Sequence, residues 1–481
     1  MTDLKGRLRK LFPQPSLRLF SSAQADIALF AVMLKKLQTP ASAAPLAIFR
    51  MAFGVMIFIS IIRFWSKGWI QDLYIKPLYF FPFYGFEFVR PLGNYTYLLF
   101  VICACSALLV ALGLFYRMAI CCLFLSFTYI ELIDKSTYLN HYYFVSVISF
   151  MLIFLPAHAY FSLDSFRDKR LRSDRIPLWC LSVLKIFIAI LYFYAGLAKL
   201  NSDWLFNALP LRIWLPAKND MPLIGFLFNY EWIPYAFSWF GCLYDLSIPF
   251  LLWNKKTRPF AFLAVVVFHG LTAMLFPIGM FPYIMIVTAL LFFSSEFHER
   301  IIQIIAKLFR IPDTLLHPSR SYTMQPWTET MLILAFTLLL AIQLILPFRY
   351  LFYPGELFWT EEGYRFSWRV MLTEKAGYCQ FMVKDKNGRS QVINNNLFLT
   401  PLQEKMMSTQ PDMILQYAHI LRDYYSQQGF KEPQVYVDSY VALNGRLGKP
   451  LVHDNVDLAK ETESLRHKPW ITPFEDEIKG F

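Results

Sequence analysis

Long apolar runs recur from residue 45 to residue 347, separated by short polar connectors. A helix that crosses the hydrocarbon core needs about 20 mostly apolar residues. Within lipid every backbone N–H and C=O must be satisfied internally, so runs of this kind predict a helical bundle. About nine segments qualify by run length and spacing. They are 45–64, 95–115, 117–133, 142–157, 179–198, 234–253, 259–276, 278–294 and 329–347. The sixth is interrupted by Tyr244 and Asp245, and the second and third almost touch at Tyr116 and Arg117. That near-contact predicts a tight hairpin. After residue 347 the chain reads like an ordinary soluble domain. The expected fold is an α-helical polytopic membrane bundle of about nine transmembrane helices followed by a small α+β extracytoplasmic domain. The expected divisions are a basic N-terminal segment 1–44, a transmembrane domain 45–347 and a C-terminal domain 348–481.

The net charge of +12 suggests either a nucleic-acid binder or a membrane protein with basic cytoplasmic loops. Distribution decides between them. Lys and Arg cluster in the connectors rather than along one stripe, and no nucleic-acid motif is present. Lys5, Arg7, Arg9, Lys10, Arg18, Lys35 and Lys36 place the N-terminal segment in the cytoplasm. Connectors 158–178, 254–258 and 295–328 are also basic and fall on that side, whereas 134–141 balances one Lys against one Asp. An odd number of crossings then puts the C-terminal domain outside. The first 40 residues lack the apolar core and cleavage site of a signal peptide. The setting expected is a bacterial inner membrane.

Seven cysteines are present without a paired CxxC pattern, so neither a metal site nor a disulfide framework is expected. In the C-terminal domain, 366–371 and 378–383 read as strands, with Asn387-Gly388 as a hairpin turn. Residues 413–425 show helical spacing. Gln434–Leu443 alternates like a strand and ends at a second turn, Asn444-Gly445.

Three polar groups interrupt the apolar pattern. Tyr192, Gly196 and Lys199 share one helix face at i, i+4 and i+7. Gly196 lets a neighbour approach that face closely. Lys199 is either a snorkelling lysine at the membrane boundary or a buried amine able to act as a base. Asn140 and His141 open the fourth span, at an interface or a site. His269 lies inside an apolar helix, where an ionisable side chain marks function or bundle packing. The charge-derived topology places His141, Lys199 and His269 in the outer half of the membrane and His158 on the cytoplasmic side. No P-loop, GxGxxG, HExxH or Ser-His-Asp pattern is apparent, which argues against ATPase, zinc-protease and hydrolase readings.

Several segments resemble the vitamin K-dependent gamma-carboxylase family and its bacterial relative, the horizontally transferred transmembrane domain. They are Asp134-Lys-Ser-Thr-Tyr-Leu-Asn-His141, the stretch from Tyr192 to Trp204, Phe268-His, and Phe276-Pro-Ile-Gly-Met-Phe-Pro-Tyr283. In the tail they are Trp359-Thr, Gly363-Tyr-Arg-Phe-Ser-Trp-Arg-Val-Met371, Glu432-Pro-Gln-Val-Tyr-Val-Asp438 and Asp454-Asn-Val-Asp457. The resemblance covers residues 45 to 473. It implies an enzyme that oxidises a reduced quinone, vitamin K hydroquinone, with O2 to the epoxide. The strong base formed on the way removes a γ-proton from a peptide Glu, and CO2 adds to the carbanion. By the same resemblance, Lys199 matches the lysine that deprotonates the quinol. His141 and His269 match functional histidines, and Tyr192, Asn140, Tyr364 and Trp368 line the site. No metal is implied.

The chain departs from the animal enzymes, which continue beyond the point matching Phe481. Their lysine pair reads Ala198-Lys199 here, and their linking cysteine has no counterpart near 79–91. Full carboxylase and epoxidase-only activity are both expectations. A non-catalytic lipid- or quinone-binding or transport protein is a further one, though no internal repeat of a transporter is visible. So is an assembly or immunity partner binding another secreted protein. Expected partners are membrane lipid, quinone and a secreted or extracytoplasmic Glu-containing peptide, with no nucleic acid.

Overall fold

The structure, a computed structural model, describes residues 32–316 and 320–480. The charged positions Lys5, Arg7, Arg9, Lys10 and Arg18 therefore lie outside the described residues. After a short strand β1 (Pro40–Ser42), helix α1 runs Ala44–Ser66 and α2 runs Thr96–Leu112. Then come α3 (Tyr116–Leu132), α4 (Asn140–Phe154), strand β2 (Arg175–Pro177) and α5 (Trp179–Leu197). Next are α6 (Trp232–Trp253), α7 (Arg258–Leu275), α8 (Phe281–Ala289), α9 (Ser295–Leu308) and α10 (Pro326–Ile345). Proline stands in the first turn of α1, α7, α8 and α10, where its missing N–H costs nothing.

Helices occupy each predicted apolar segment. Among the described residues, six are long and apolar enough to cross a membrane alone: α1, α2, α5, α6, α7 and α10. The count rises to seven if α8 with its 3-10 extension and α9, bent by 113°, form one broken span. The expected number of crossings thus exceeds what helix length supports. The three segments beyond the six are α3, α4 and α8, of 17, 15 and 9 residues, while α9 lies outside all nine. Its sequence is amphipathic, and it buries His298, Ile302 and Ala306 while Ile304 and Leu308 face outward.

Close helix contact follows from small residues. An added Cβ on Gly54 of α1 would lie 2.6 Å from the Ala107 carbonyl and the Ala111 amide of α2. The expected hairpin is present. α2 ends at Gly113, whose φ of +63° favours glycine, and buried Arg50 fills the space beside it and donates to the Phe161 carbonyl. Asp164 then accepts from the Phe115 and Tyr116 amides at the start of α3.

The connectors gather at two ends of the bundle. At one, β1 pairs antiparallel with β2, Arg175 bridges to Ser321, and Ser42 donates to Glu299. This end holds the basic connector 158–178. The other end carries the C-terminal region. There β3 (Lys375–Lys384), β4 (Ser390–Val392), β5 (Gln434–Leu443) and β6 (Lys449–Pro450) form an antiparallel sheet of order β4-β3-β5-β6. Helices α11 (Pro401–Met407) and α12 (Pro411–Gln427) cover it. Alternate residues of β5, among them Val435, Val437 and Val441, are buried with Leu415, Ala418 and Leu421 of α12.

One expected strand is absent. Residues 366–371 form an irregular loop with left-handed Phe366, Trp368 and Met371. Trp368 turns into the bundle, stacked on Tyr143 at 5.0 Å. Tertiary burial, not pairing, sets this segment.

Polar contacts dock the C-terminal region, two carboxylates prominent among them. Asp203 accepts from Arg446 and Asn444. Buried Lys135 donates to Asp412 at 2.8 Å, and Arg365 donates to the same carboxylate at 2.6 Å. Burial pushes the Asp412 carboxyl up, but Arg365 and Lys135 outweigh it and hold it well below the usual range.

Replacing Gly54 by Leu forces α1 from α2 and should cost about 1–3 kcal/mol, read as a lower unfolding temperature in detergent. Gly270→Ala, where an added Cβ meets nothing within 4 Å, leaves that temperature unchanged or slightly raised. Because the folded Asp412 pKa is depressed, its contribution is present above the unfolded value and fades only as pH falls through the folded one. Wild-type docking should therefore resist limited proteolysis even at about pH 4, where an ordinary Asp is half protonated. Asp412→Asn should be cut faster at neutral pH.

Candidate functional site

The α5 helix ends at Leu197, and the chain turns so that the Lys199 amide donates to the Gly196 carbonyl at 3.0 Å. Gly196 itself has no room for a side chain. A Cβ there would lie 2.7 Å from Leu246 Cγ and 2.8 Å from the Leu246 amide of α6. This approach brings Asp245 against Lys199. Lys199 Nζ donates to Asp245 Oδ2 at 2.7 Å and to the Ala195 carbonyl at 2.9 Å. Lys199 is 6% exposed and Asp245 5%. Nζ also lies 5.3 Å from the Trp204 ring centroid. Trp204 is held by its own local sequence: Asn201 caps the short helix Ser202–Asn207 by accepting from the Trp204 amide, and the indole donates to the Ser238 carbonyl.

His269 sits on α7, 2% exposed, with Nε2 3.1 Å from the Tyr192 hydroxyl. Its Nδ1 is buried without a hydrogen-bond partner. Tyr192, Lys199, Trp204, Asp245, Phe268 and His269 face one largely apolar cavity with an empty volume of about 710 Å³. Lys199, His269 and Tyr192, singled out from sequence, thus share a chamber.

Asn140, His141 and Tyr364 line a second, polar cavity of about 1280 Å³. Lys135, Arg365 and Lys375 also face it. Lys375 pairs with Glu361 at 2.7 Å. His141 is therefore not beside Lys199, although both lie toward the end of the bundle that carries the C-terminal region. Asn140 bonds Tyr138 and the Arg369 carbonyl, tying α4 to the 366–371 loop. Trp368 lines neither cavity and packs against Tyr143 and Phe187. His158, set apart from these residues by the charge argument, stacks on Tyr116 at 5.4 Å beside the basic connector.

Asp245 escaped the sequence reading as a site residue. Its signal was present, because an acid inside a span requires a partner. The interruption of the sixth segment by Tyr244 and Asp245 marked the residue, but only packing shows which cation answers it.

A buried ion pair is costly to break from one side, since one charge is left unpaired. Lys199→Met and Asp245→Leu should each destabilise by about 3–5 kcal/mol. The double variant should lose less than either alone, measured by thermal unfolding in detergent. Additive losses would show that the two side chains are not coupled.

Comparison with known proteins agrees with the architecture. The HTTM domain model matches residues 38–297, and the model of the vitamin K-dependent gamma-carboxylase lumenal domain matches residues 328–477. No solved structure matches the chain. With its apolar helices and a C-terminal region of the lumenal type, the chain is a membrane protein of the vitamin K-dependent gamma-carboxylase family.

Proposed function

We propose that this protein oxidises a membrane-borne quinol with O2 and uses the base so formed to carboxylate peptide glutamate. The observation that carries this reading is the Lys199–Asp245 pair, buried at 2.7 Å and facing an apolar cavity that also holds His269 and Tyr192. The lining fits a reduced quinone such as vitamin K hydroquinone. Apolar side chains suit its ring and tail, and the polar groups suit its two hydroxyls. In overall balance, quinol and O2 give epoxide and water, while Glu and CO2 give γ-carboxyglutamate.

Lys199 is the residue placed to take a proton from a quinol hydroxyl. The pair is electroneutral whether the shared proton sits on the amine or on the acid. With the shared proton on Asp245 the amine is free to accept the quinol's, and the ammonium so formed is balanced by the quinol anion left beside it. His269, held by Tyr192, is placed to orient the other side of the ring. Exclusion of water matters because a strong base would otherwise be quenched. When bound, the reduced quinone supplies the electrons for O2 and the strong base. The Glu carboxylate enters from the polar cavity, whose lining carries Lys135, Arg365, Arg369, Lys375 and Lys405 against Glu361 and Glu374, an excess of cations that complements its charge, with His141 as a further hydrogen-bonding group. Tyr364 and Asn140 shape the same wall.

The lumenal-type region faces away from the cytoplasm, so the glutamate belongs to a secreted or extracytoplasmic peptide. The N-terminus is cytoplasmic and the membrane a bacterial inner membrane. An epoxidase-only enzyme is the second reading. It is favoured by Ala198, which is buried where the family's first lysine stands.

Purified protein should convert reduced vitamin K to the epoxide and, given bicarbonate and a Glu peptide, carboxylate it. Lys199→Ala should lower both rates by about 10²–10⁴-fold, the usual contribution of a positioned base. Epoxide without carboxylated peptide selects the second reading. Equal turnover by wild type and Lys199→Ala overturns both.

A further inference from the structure

The two cavities are separated by very little. Ile278, Phe281, Val370 and Met371 line both. The Phe281 ring centroid lies 5.9 Å from that of His269 and 6.1 Å from that of His141. One side chain therefore faces the imidazole of each chamber. The wall has two sources. Ile278 and Phe281 come from the corner between α7 and α8, bent at Gly279, whose φ is +65°. Val370 and Met371 come from the irregular loop that leads into the C-terminal sheet, with Met371 also left-handed. At Gly279 an added Cβ would lie 3.5 Å from His141 Nε2, so the corner packs directly on the polar chamber.

The chambers differ in their affinity for water. The polar one is lined by Lys135, Arg365, Lys375 and Glu361 and suits water with several hydrogen-bond partners. The other is walled mainly by aromatic and aliphatic groups, which offer water few partners. We propose that Phe281 and Met371 are positioning residues that form a barrier one side chain thick, keeping water of the polar chamber away from the chemistry of the apolar one and so coupling the two half-reactions. This inference rests on the function proposed above. Water is a far stronger acid than a γ-C–H of glutamate. A breach therefore diverts the base to water. Epoxide still forms, and carboxylation fails. An entering Glu side chain must part the wall, and its own methylenes then occupy the gap.

The test uses the full chain in lipid vesicles and has two readouts. First, Ala195→Cys places a thiol in the apolar chamber, where Ala195 is part of the lining. A permanently charged, membrane-impermeant methanethiosulfonate probe is added from outside, with the parent protein correcting for native cysteines. Adding Phe281→Ala and Met371→Ala should speed modification of Cys at 195 by at least about tenfold, whereas Phe281→Leu, which keeps an apolar wall, should not. An unchanged rate in the double alanine variant overturns the barrier, whatever the activity. Second, the ratio of epoxide to carboxylated peptide should rise several-fold in Phe281→Ala and stay near wild type in Phe281→Leu. An unchanged ratio in Phe281→Ala overturns the coupling role. If the wild type makes no epoxide, the proposed reaction fails, and the thiol probe still decides the barrier on its own. If the wild type makes epoxide alone, the thiol probe likewise decides.

Discussion

A lysine and an aspartate meeting inside an apolar bundle impose a strict geometry on everything around them. Neither charge is tolerable alone in such a place. The pair between Lys199 and Asp245 therefore sets how α5 and α6 face each other, and Gly196 is the position that permits their approach. With α6 held in that rotation, Tyr244 stacks on Phe268 at 4.1 Å, and α7 is oriented so that His269 meets Tyr192. The apolar chamber is what remains among these contacts. Its polar groups are few and are bonded mostly to each other, which leaves them available to an entering ligand without filling the space with water.

Beside it stands an environment of the opposite kind. The polar chamber is built from both the bundle and the C-terminal region, and it exists only because that region is docked. Asp412 holds Lys135 of the bundle and Arg365 of the tail at once, and Asp203 holds Arg446. A reaction that needs a water-free base and a charged substrate is served by two such compartments better than by one. The 366–371 loop contributes to both: Trp368 anchors it in the aromatic core of the bundle, and Val370 and Met371 face the boundary between the chambers.

Much of this was legible in the chain. Apolar run length located the helices, since hydrocarbon leaves the backbone no other local solution. Strand β5 coincides with the alternating stretch Gln434–Leu443, and α12 extends the helical stretch 413–425 by two residues at each end. Charge bias in the connectors grouped His141, Lys199 and His269 toward one end of the bundle, and they line the two neighbouring cavities there. The failures have physical causes. Residues 366–371 alternate in polarity like a strand, but alternation is also what a loop shows when its side chains are buried in different directions. All nine apolar segments are helical, yet among the described residues only six helices are long enough to cross alone, because apolar content does not register how short a helix is or where it breaks, as α8 does before α9.

Sequence by itself thus determined which segments are helical, which end of the fifth apolar segment carries the amine, and where the basic connectors fall. These depend on run length, periodicity and charge, all local quantities. Tertiary structure alone decided that Asp245 answers Lys199, that His141 belongs to a different chamber from His269, and that Phe281 stands between them. Those facts depend on the rotation of one helix against another, and close packing at residues such as Gly196, far apart in the chain from their neighbours, is what sets that rotation.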